Sequence, residues 1–285
     1  MPIISVEDSY FRSKNSIRLG KKLFSLDQPS IMGILNCTPD SFYAESRIKS
    51  VTSILKKAEL QLNDGATILD IGGYSSRPNA DNVTEKEEIE RTKNAIFAIR
   101  NEFPQSIISI DTFRSEVARI ALESGADMIN DITGGEIEPA IWKVAAHYQC
   151  PYILMHMRGN PKTMQTQTTY SNLFKEIAYY FSGKINQLKK IGVHDVILDP
   201  GFGFAKTLEQ NYEILDCLPD FNFLERPMLV GLSRKSMIYK KLAFSPAEAL
   251  NATTILNTKA ILQGAKILRV HDVKEASEIL KLLKF

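Results

Sequence analysis

The sequence lacks the features that would tie a chain to a membrane, a disulfide framework or a polyanion. No run approaches the roughly 18 apolar residues of a membrane-spanning helix, and the opening MPIISVEDSYFRSKNS has neither a cationic start nor a long apolar stretch. The expected location is the cytoplasm. Cysteine is scarce: Cys37, Cys150 and Cys217 are the only three, widely spaced and without a CxxC or Cys/His cluster. That argues against a disulfide scaffold and a structural zinc site, and leaves three small core residues. Charge of one sign is missing too. Lys and Arg number 35 against 33 Asp and Glu, for a formal net charge of +2. Acids and bases interleave, so no basic stripe invites nucleic acid.

What remains is an ordinary globular composition, 44% hydrophobic and 24% charged over 285 residues, enough for one large core. Short apolar runs recur, each followed by loop residues and a stretch with helical spacing. They are SIMGILN from Ser30, TILDIGG from Thr67, IISID from Ile107, MINDI from Met128, YILMHM from Tyr152, VILDPG from Val196, MLVGLS from Met228 and KILRVHD from Lys266. Runs apolar on both faces, separated by amphipathic segments such as VTSILKKAELQLND and EALNATTILNTKAILQ, fit parallel strands covered by helices. Eight such units favour a closed, single-domain α/β (β/α)8 TIM barrel over an open doubly wound sheet, and such barrels typically need about 250 residues. Residues 30–285 are read as the barrel. Residues 1–29 form an N-terminal extension, in which SIRLGKKLFSL around Gly20 is a candidate hairpin plugging the barrel floor.

The polar residues fall at the strand ends. Asn36, Asp70, Asp111, Asn130 with Asp131, His156, Asp199, Ser233, and Arg269 with His271 each close an apolar run. Barrel enzymes build their active sites at the C-terminal ends of the strands. Taken singly, an Asp or Asn in this position also begins a turn or caps the next helix. Taken together, they divide into Asp111, Asn130 and Asp199 in the middle strands and the cations Lys235, Arg269 and His271 at the last two. Carboxylates grip an amino-amidine edge through paired hydrogen bonds, while Arg and Lys complement phosphate. The division suits a ligand with a polar ring at one end and an anion at the other.

The segments IMGILNCTPDSF, LDIGGYSSRP, SIDTF, INDI, LMHMRGNPKTMQ, ILDPGFGFAKT, VGLSRKS and RVHDV resemble, in order and spacing, the signature segments of the dihydropteroate synthases, from about Ile31 to Val273. The resemblance implies a (β/α)8 enzyme of folate synthesis, usually a homodimer, that uses magnesium. The amine of 4-aminobenzoate would displace diphosphate from the methylene carbon of a dihydropterin diphosphate. By the same resemblance Asp111, Asn130, Asp199 and Lys235 bind the pterin, and Asn36 is associated with magnesium and diphosphate. Arg269, His271 and the backbone at Val270 form the diphosphate site. Ser76 stands where threonine is usual, and Arg77 and Ser236 are candidates for the aminobenzoate side. The catalytic set is then Asp40, Lys235, Arg269 and His271. His156 and Met155 are read as pocket floor, and Arg158 and Lys162 receive no role.

The chain also departs from the family pattern. Where the first loop commonly reads DSFSDGG, this one has Asp40-Ser41-Phe42-Tyr43-Ala44-Glu45-Ser46, so any cation-stabilising task of the second aspartate passes to Asp40 or Glu45 or is lost. Tyr74 stands where glutamate is usual. Three rival readings remain: a pterin-dependent methyltransferase, against which SRKS and RVHDV argue; an aldolase-type barrel using Lys235 as a Schiff base; and a catalytically silent pterin binder, made conceivable by the altered first loop.

Overall fold

The computed structural model describes residues 15–20, 22–37, 46–74, 83–160 and 163–285, with backbone only for 46–50. Asp40, Ser76, Arg77, Lys162 and the altered first-loop residues Ala44 and Glu45 lie outside the described residues.

Eight strands follow one another around a barrel: β3 (Ser30–Asn36), β4 (Ile68–Gly72), β5 (Ile107–Asp111), β6 (Met128–Asp131), β7 (Tyr152–Met155), β8 (Val196–Asp199), β9 (Leu229–Val230) and β10 (Ile267–Val270). All neighbouring pairs are parallel, in the order β8-β7-β6-β5-β4-β3-β10-β9. A parallel bridge between Leu198 and Met228 brings β8 back to the β9 side, with the Leu198 amide donating to the Pro227 carbonyl at 2.9 Å. The eight apolar runs of the sequence are thus the eight strands of a single-domain (β/α)8 barrel.

Helices α1 (Ser46–Asp64), α2 (Glu85–Glu102), α3 (Ser115–Glu123), α4 (Ala140–Tyr148), α5 (Leu173–Lys190), α6 (Leu208–Asp216), α7 (Ser236–Leu242), α8 (Leu250–Leu262) and α9 (Val273–Leu282) cover the outside. Local chemistry sets several starts. Thr84 with Glu87 and Thr207 with Gln210 form capping boxes on α2 and α6, each satisfying amides that a helix terminus leaves open.

The period of two along each strand sorts the core into layers. Outward residues such as Leu69, Ile71, Ile108, Ile110, Leu154, Leu198, Val230 and Val270 meet the helices in one large cluster. Inward residues at the strand starts, Met32, Ile68, Met128, Ile153, Ile197, Leu229 and Ile267, form a separate cluster that fills the floor. The hairpin foreseen around Gly20 is present as β1 (Ser16–Leu19) paired antiparallel with β2 (Lys22–Ser25). Its Ile17 and the following Leu26 are fully buried in that floor cluster.

The cysteines behave as apolar groups. Cys37 and Cys150 are buried and Cys217 half-buried, all as free thiols. Burial pushes the first two up to about 12 and the third to about 11.

Candidate active site

Two residues above the floor, the same inward-facing positions change from aliphatic to polar. Ile68 is followed by Asp70, Met128 by Asn130, Ile197 by Asp199 and Ile267 by Arg269. On β5 the inward positions Ser109 and Asp111 continue the pattern.

Arg269 ties this layer together. Its Nε donates to Asp70 Oδ2 at 2.6 Å, and its Nη2 pairs with Asp111. Asn130 Nδ2 donates to the same Asp70 oxygen at 3.0 Å. The cation assigned to the last strand therefore reaches back across the pocket to the carboxylates of β4 and β5. Burial pushes Asp111 up to about 7 against the pull of Arg269, and the charges of Asp70, Glu88 and Asp131 add to the push. For Arg269, burial opposes the charge, but Asp70 and Asp111 more than offset it and hold the guanidinium above its ordinary range.

Asp199 and Lys235 form the second half of the site. The Gly201 amide donates to Asp199 Oδ1 at 2.7 Å. Burial raises the Asp199 carboxyl, opposed first by Lys235. Lys235 Nζ donates to the Phe202 carbonyl at 2.5 Å and lies 4.9 Å from the Phe204 ring centroid. Burial lowers this ammonium to about 8, with Asp199 pulling the other way. Its neighbour Arg234, one residue earlier, has φ +53° and makes a two-pronged pair with Asp272 at 2.9 Å per contact. The basic pair of SRKS is thus split between a structural arginine and a pocket lysine. Positive φ at a residue with a Cβ is strained, and such strain collects at functional loops.

Asn36, at the end of β3, is exposed, and its Oδ1 lies with Asp111 beside Gly72. Ser236 begins α7 immediately after Lys235. His271 is exposed, and its amide donates to Ser233 Oγ at 3.2 Å. The Val270 side chain is buried against the helices, so only its backbone faces the strand end.

Parity removes two strand-end residues from the pocket. Asp131 points outward and braces the loop after β6: it accepts from the Thr133 amide at 2.7 Å, the Gly135 amide at 2.8 Å and the Tyr152 hydroxyl at 2.6 Å. Here the turn-capping reading wins. His156 does not line the pocket floor; it is packed edge-on to Tyr180 with ring centroids 5.0 Å apart. Met155 alone keeps the inward position, in a small cluster with Ile132, Met157, Met164 and Ala205. Arg158 pairs with Glu176 and lies 3.8 Å from the Tyr170 centroid.

Sequence reasoning passed over Lys206. Its buried Nζ sits 3.1 Å from each of His156 Nδ1, the Gly201 carbonyl and the Phe204 carbonyl. Burial holds His156 well below its ordinary range, hence neutral and able to accept, and lowers Lys206 to about 7. A lysine in FGFAKT reads as a surface charge before the α6 cap; only the three-dimensional loop shows that it turns inward. Glu88 was missed for a similar reason. Fully buried on α2, it accepts from Thr112 Oγ1 at 2.7 Å and Arg114 Nη1 at 2.6 Å. Arg114 also reaches the Val83 carbonyl at 2.9 Å, while Tyr74 packs edge-on against Phe113 with centroids 5.3 Å apart.

Known proteins share this fold and sequence over nearly the whole chain. The family profile described as pterin binding enzyme matches residues 32–271. The dihydropteroate synthase of Synechocystis sp. is 47% identical over 268 residues, covering 93% of this chain and 92% of its own. That of Escherichia coli strain K12 is 43% identical, covering 91% and 92%. Among solved structures, the Yersinia pestis dihydropteroate synthase with a sulfonamide drug superposes with a TM-score of 0.88 at 37% identity, covering 94% of this chain and 98% of that one. The Xanthomonas albilineans enzyme with 4-aminobenzoic acid gives 0.86 at 32% identity, covering 95% and 97%. Fold and sequence agree, and the chain belongs to the dihydropteroate synthases, a family of pterin-binding enzymes.

Proposed function

We propose that this protein condenses a (7,8-dihydropterin-6-yl)methyl diphosphate with 4-aminobenzoate, giving 7,8-dihydropteroate and diphosphate. The observation that carries the reading is the polar layer above an apolar floor, with hydrogen-bonding carboxylates, an amide and two cations converging at the strand ends, in a chain whose relatives are dihydropteroate synthases.

Asp199 and Asp111 would accept the amino-amidine edge of the ring, Asn130 would meet a further ring edge, and Lys235 would lie against the ring. Arg269, His271 and the Val270 backbone would take the diphosphate oxygens, and Ser236 with Ser76 and Arg77 the aminobenzoate side. As the methylene carbon–oxygen bond breaks, its electron pair leaves on diphosphate, while the ring delocalises the positive charge left on carbon. The arylamine lone pair then forms the carbon–nitrogen bond, and the amine proton departs to solvent. No strong base is needed, because an arylamine is neutral near pH 7. The chain's task is to align ring, carbon and amine and to stabilise charge on the leaving oxygen. Asp40, beyond the described residues, would assist there.

Magnesium fits what is present. Asn36 offers an exposed, neutral, hard oxygen at the pocket mouth, and magnesium bound to phosphates commonly takes only one or two protein ligands and keeps its waters. Asn36 would hold it; when bound, it would supply charge neutralisation for diphosphate.

A homodimer is supported by α8, where Ile255 and Leu262 are 58% and 68% exposed seven residues apart, on one face of the helix. A second copy of the chain would cover that face, and sedimentation would report a species of twice the chain mass. Among the described residues no helix is long and apolar enough to cross a membrane; we infer a cytoplasmic location.

The deciding experiment measures magnesium-dependent diphosphate release from the dihydropterin diphosphate with and without 4-aminobenzoate. Release coupled to dihydropteroate formation supports the synthase reading. Pterin binding without product would favour the silent binder; neither would overturn both.

A further inference from the structure

Asp70 is the one carboxylate of the polar layer to which no ligand has been assigned, and its geometry is unusual. The residue is fully buried on β4. Its Oδ2 accepts two hydrogen bonds, from Arg269 Nε at 2.6 Å and Asn130 Nδ2 at 3.0 Å, each reaching past an intervening strand. On one side the intervening residue paired with Asp70 is Ser109, small enough to let Asn130 through. Oδ1 is buried too, and among the described residues it has no hydrogen-bond partner.

We propose that Asp70 is a positioning residue serving both halves of the pterin substrate, fixing the amide orientation of Asn130 and the guanidinium plane of Arg269 through one shared oxygen. This rests on the synthase reading above and deepens it. With Nδ2 held by a carboxylate, Asn130 cannot flip without setting Oδ1 against another acceptor, so its oxygen is presented to the pocket to receive a ring N–H. Arg269 is pinned at Nε by Asp70 and at Nη2 by Asp111, which leaves Nη1 as the donor aimed at a ligand anion. Asp70 has no exposed surface and touches neither ligand itself; it acts through the two residues that do. A buried carboxylate whose second oxygen has no partner among the described residues is a cost that a purely structural position does not require, since an aliphatic side chain would fill the same volume without it.

The test is Asp70→Asn, isosteric but unable to accept at both oxygens. Steady-state kinetics should show kcat/KM for the dihydropterin diphosphate falling about 10- to 100-fold, as expected for displaced positioning groups. The KM for 4-aminobenzoate should stay within about twofold at temperatures where the variant is folded. In a cycle with Asn130→Ala, the double variant should lose clearly less than the product of the two single losses, because both act on one contact. Should Asp70→Asn fail to fold, Asp70→Glu keeps the charge, displaces the oxygen by one carbon and carries the same expectations. Equal losses for both substrates, or multiplicative losses in the cycle, would overturn the proposal. A wild-type protein that binds 6-hydroxymethylpterin but forms no dihydropteroate would sink the synthase reading instead. The positioning role would then be read from pterin affinity alone, and unchanged affinity in Asp70→Asn would overturn it.

Discussion

The floor and the mouth of this barrel are built by the same strands, on the same inward face, two residues apart, yet they do opposite things. At the floor, Ile68, Met128, Ile153, Ile197 and Ile267 pack with Ile17 and Leu26 of the hairpin region into a dry layer. At the mouth, Asp70, Asn130, Asp199 and Arg269 stand two residues beyond Ile68, Met128, Ile197 and Ile267, and the charges among them are desolvated at a cost to stability. A protein that gained only stability from its interior would continue the floor upward. The contrast assigns hydrophobic stabilisation to one layer and chemistry to the next, and it can be broken on a single strand.

The largest effect is expected from Asp199→Ala against Ile197→Ala on β8. Asp199→Ala should reduce pterin affinity by at least about 100-fold, the range for removing a charged hydrogen-bonding partner, while leaving the melting temperature unchanged or higher. Ile197→Ala should cost about 2–5 kcal/mol of unfolding free energy, the usual range for emptying a buried aliphatic site, with little change in affinity. Paired pterin titrations and denaturant unfolding check both; retained pterin binding in Asp199→Ala would refute the ring pose.

Asp111 sharpens the comparison through pH. Its folded pKa is raised from 3.8 to about 7, first by burial. The stability tied to this group is therefore fully present below the unfolded value and is lost as pH rises through about 7. Ring binding has the opposite demand, because the accepting form is the carboxylate. Pterin affinity should climb as pH passes upward through about 7, while Asp111→Asn should flatten that rise, weaken binding by about tenfold, and melt at a higher temperature than wild type at pH 8. Affinity and melting curves between pH 5.5 and 8.5 decide it.

The barrel was legible because parallel strands buried on both faces write themselves as continuous apolar runs: Ser30–Asn36 and Ile107–Asp111 coincide with the runs SIMGILN and IISID. β9 was over-read, since only Leu229 and Val230 pair regularly while Met228 makes the closing bridge. The pocket was half legible. A polar residue after an apolar run says that a strand end is near, but the face it takes depends on parity against the floor. A single residue therefore separates Asn130 in the pocket from Asp131 in a turn, and Met155 from His156. Lys206 and Glu88 escaped because the side chains they meet in the interior, His156 and Thr112, lie 50 and 24 residues away, contacts that no local pattern encodes. The pairing of Arg269 with Asp70 and Asp111, across 199 and 158 residues, is of the same kind.

The smallest effect should come from beneath the floor. Ile17 is 1% exposed and packs with the aliphatic residues at the strand starts, on the hairpin that precedes the first barrel strand. Ile17→Ala removes apolar surface from a site that a two-stranded hairpin can partly collapse into, so the loss should fall near the low end for such changes, about 2 kcal/mol. On β4, β6, β8 and β10 the polar layer starts two residues above the floor, and Arg269 ties it to Asp70 and Asp111 through ion pairs. KM for both substrates should therefore stay within about twofold of wild type at temperatures where the variant is folded. A selective rise in KM for the dihydropterin diphosphate would show that the floor transmits its packing to Arg269 and Asp70, and the division between a layer for stability and a layer for chemistry would fail.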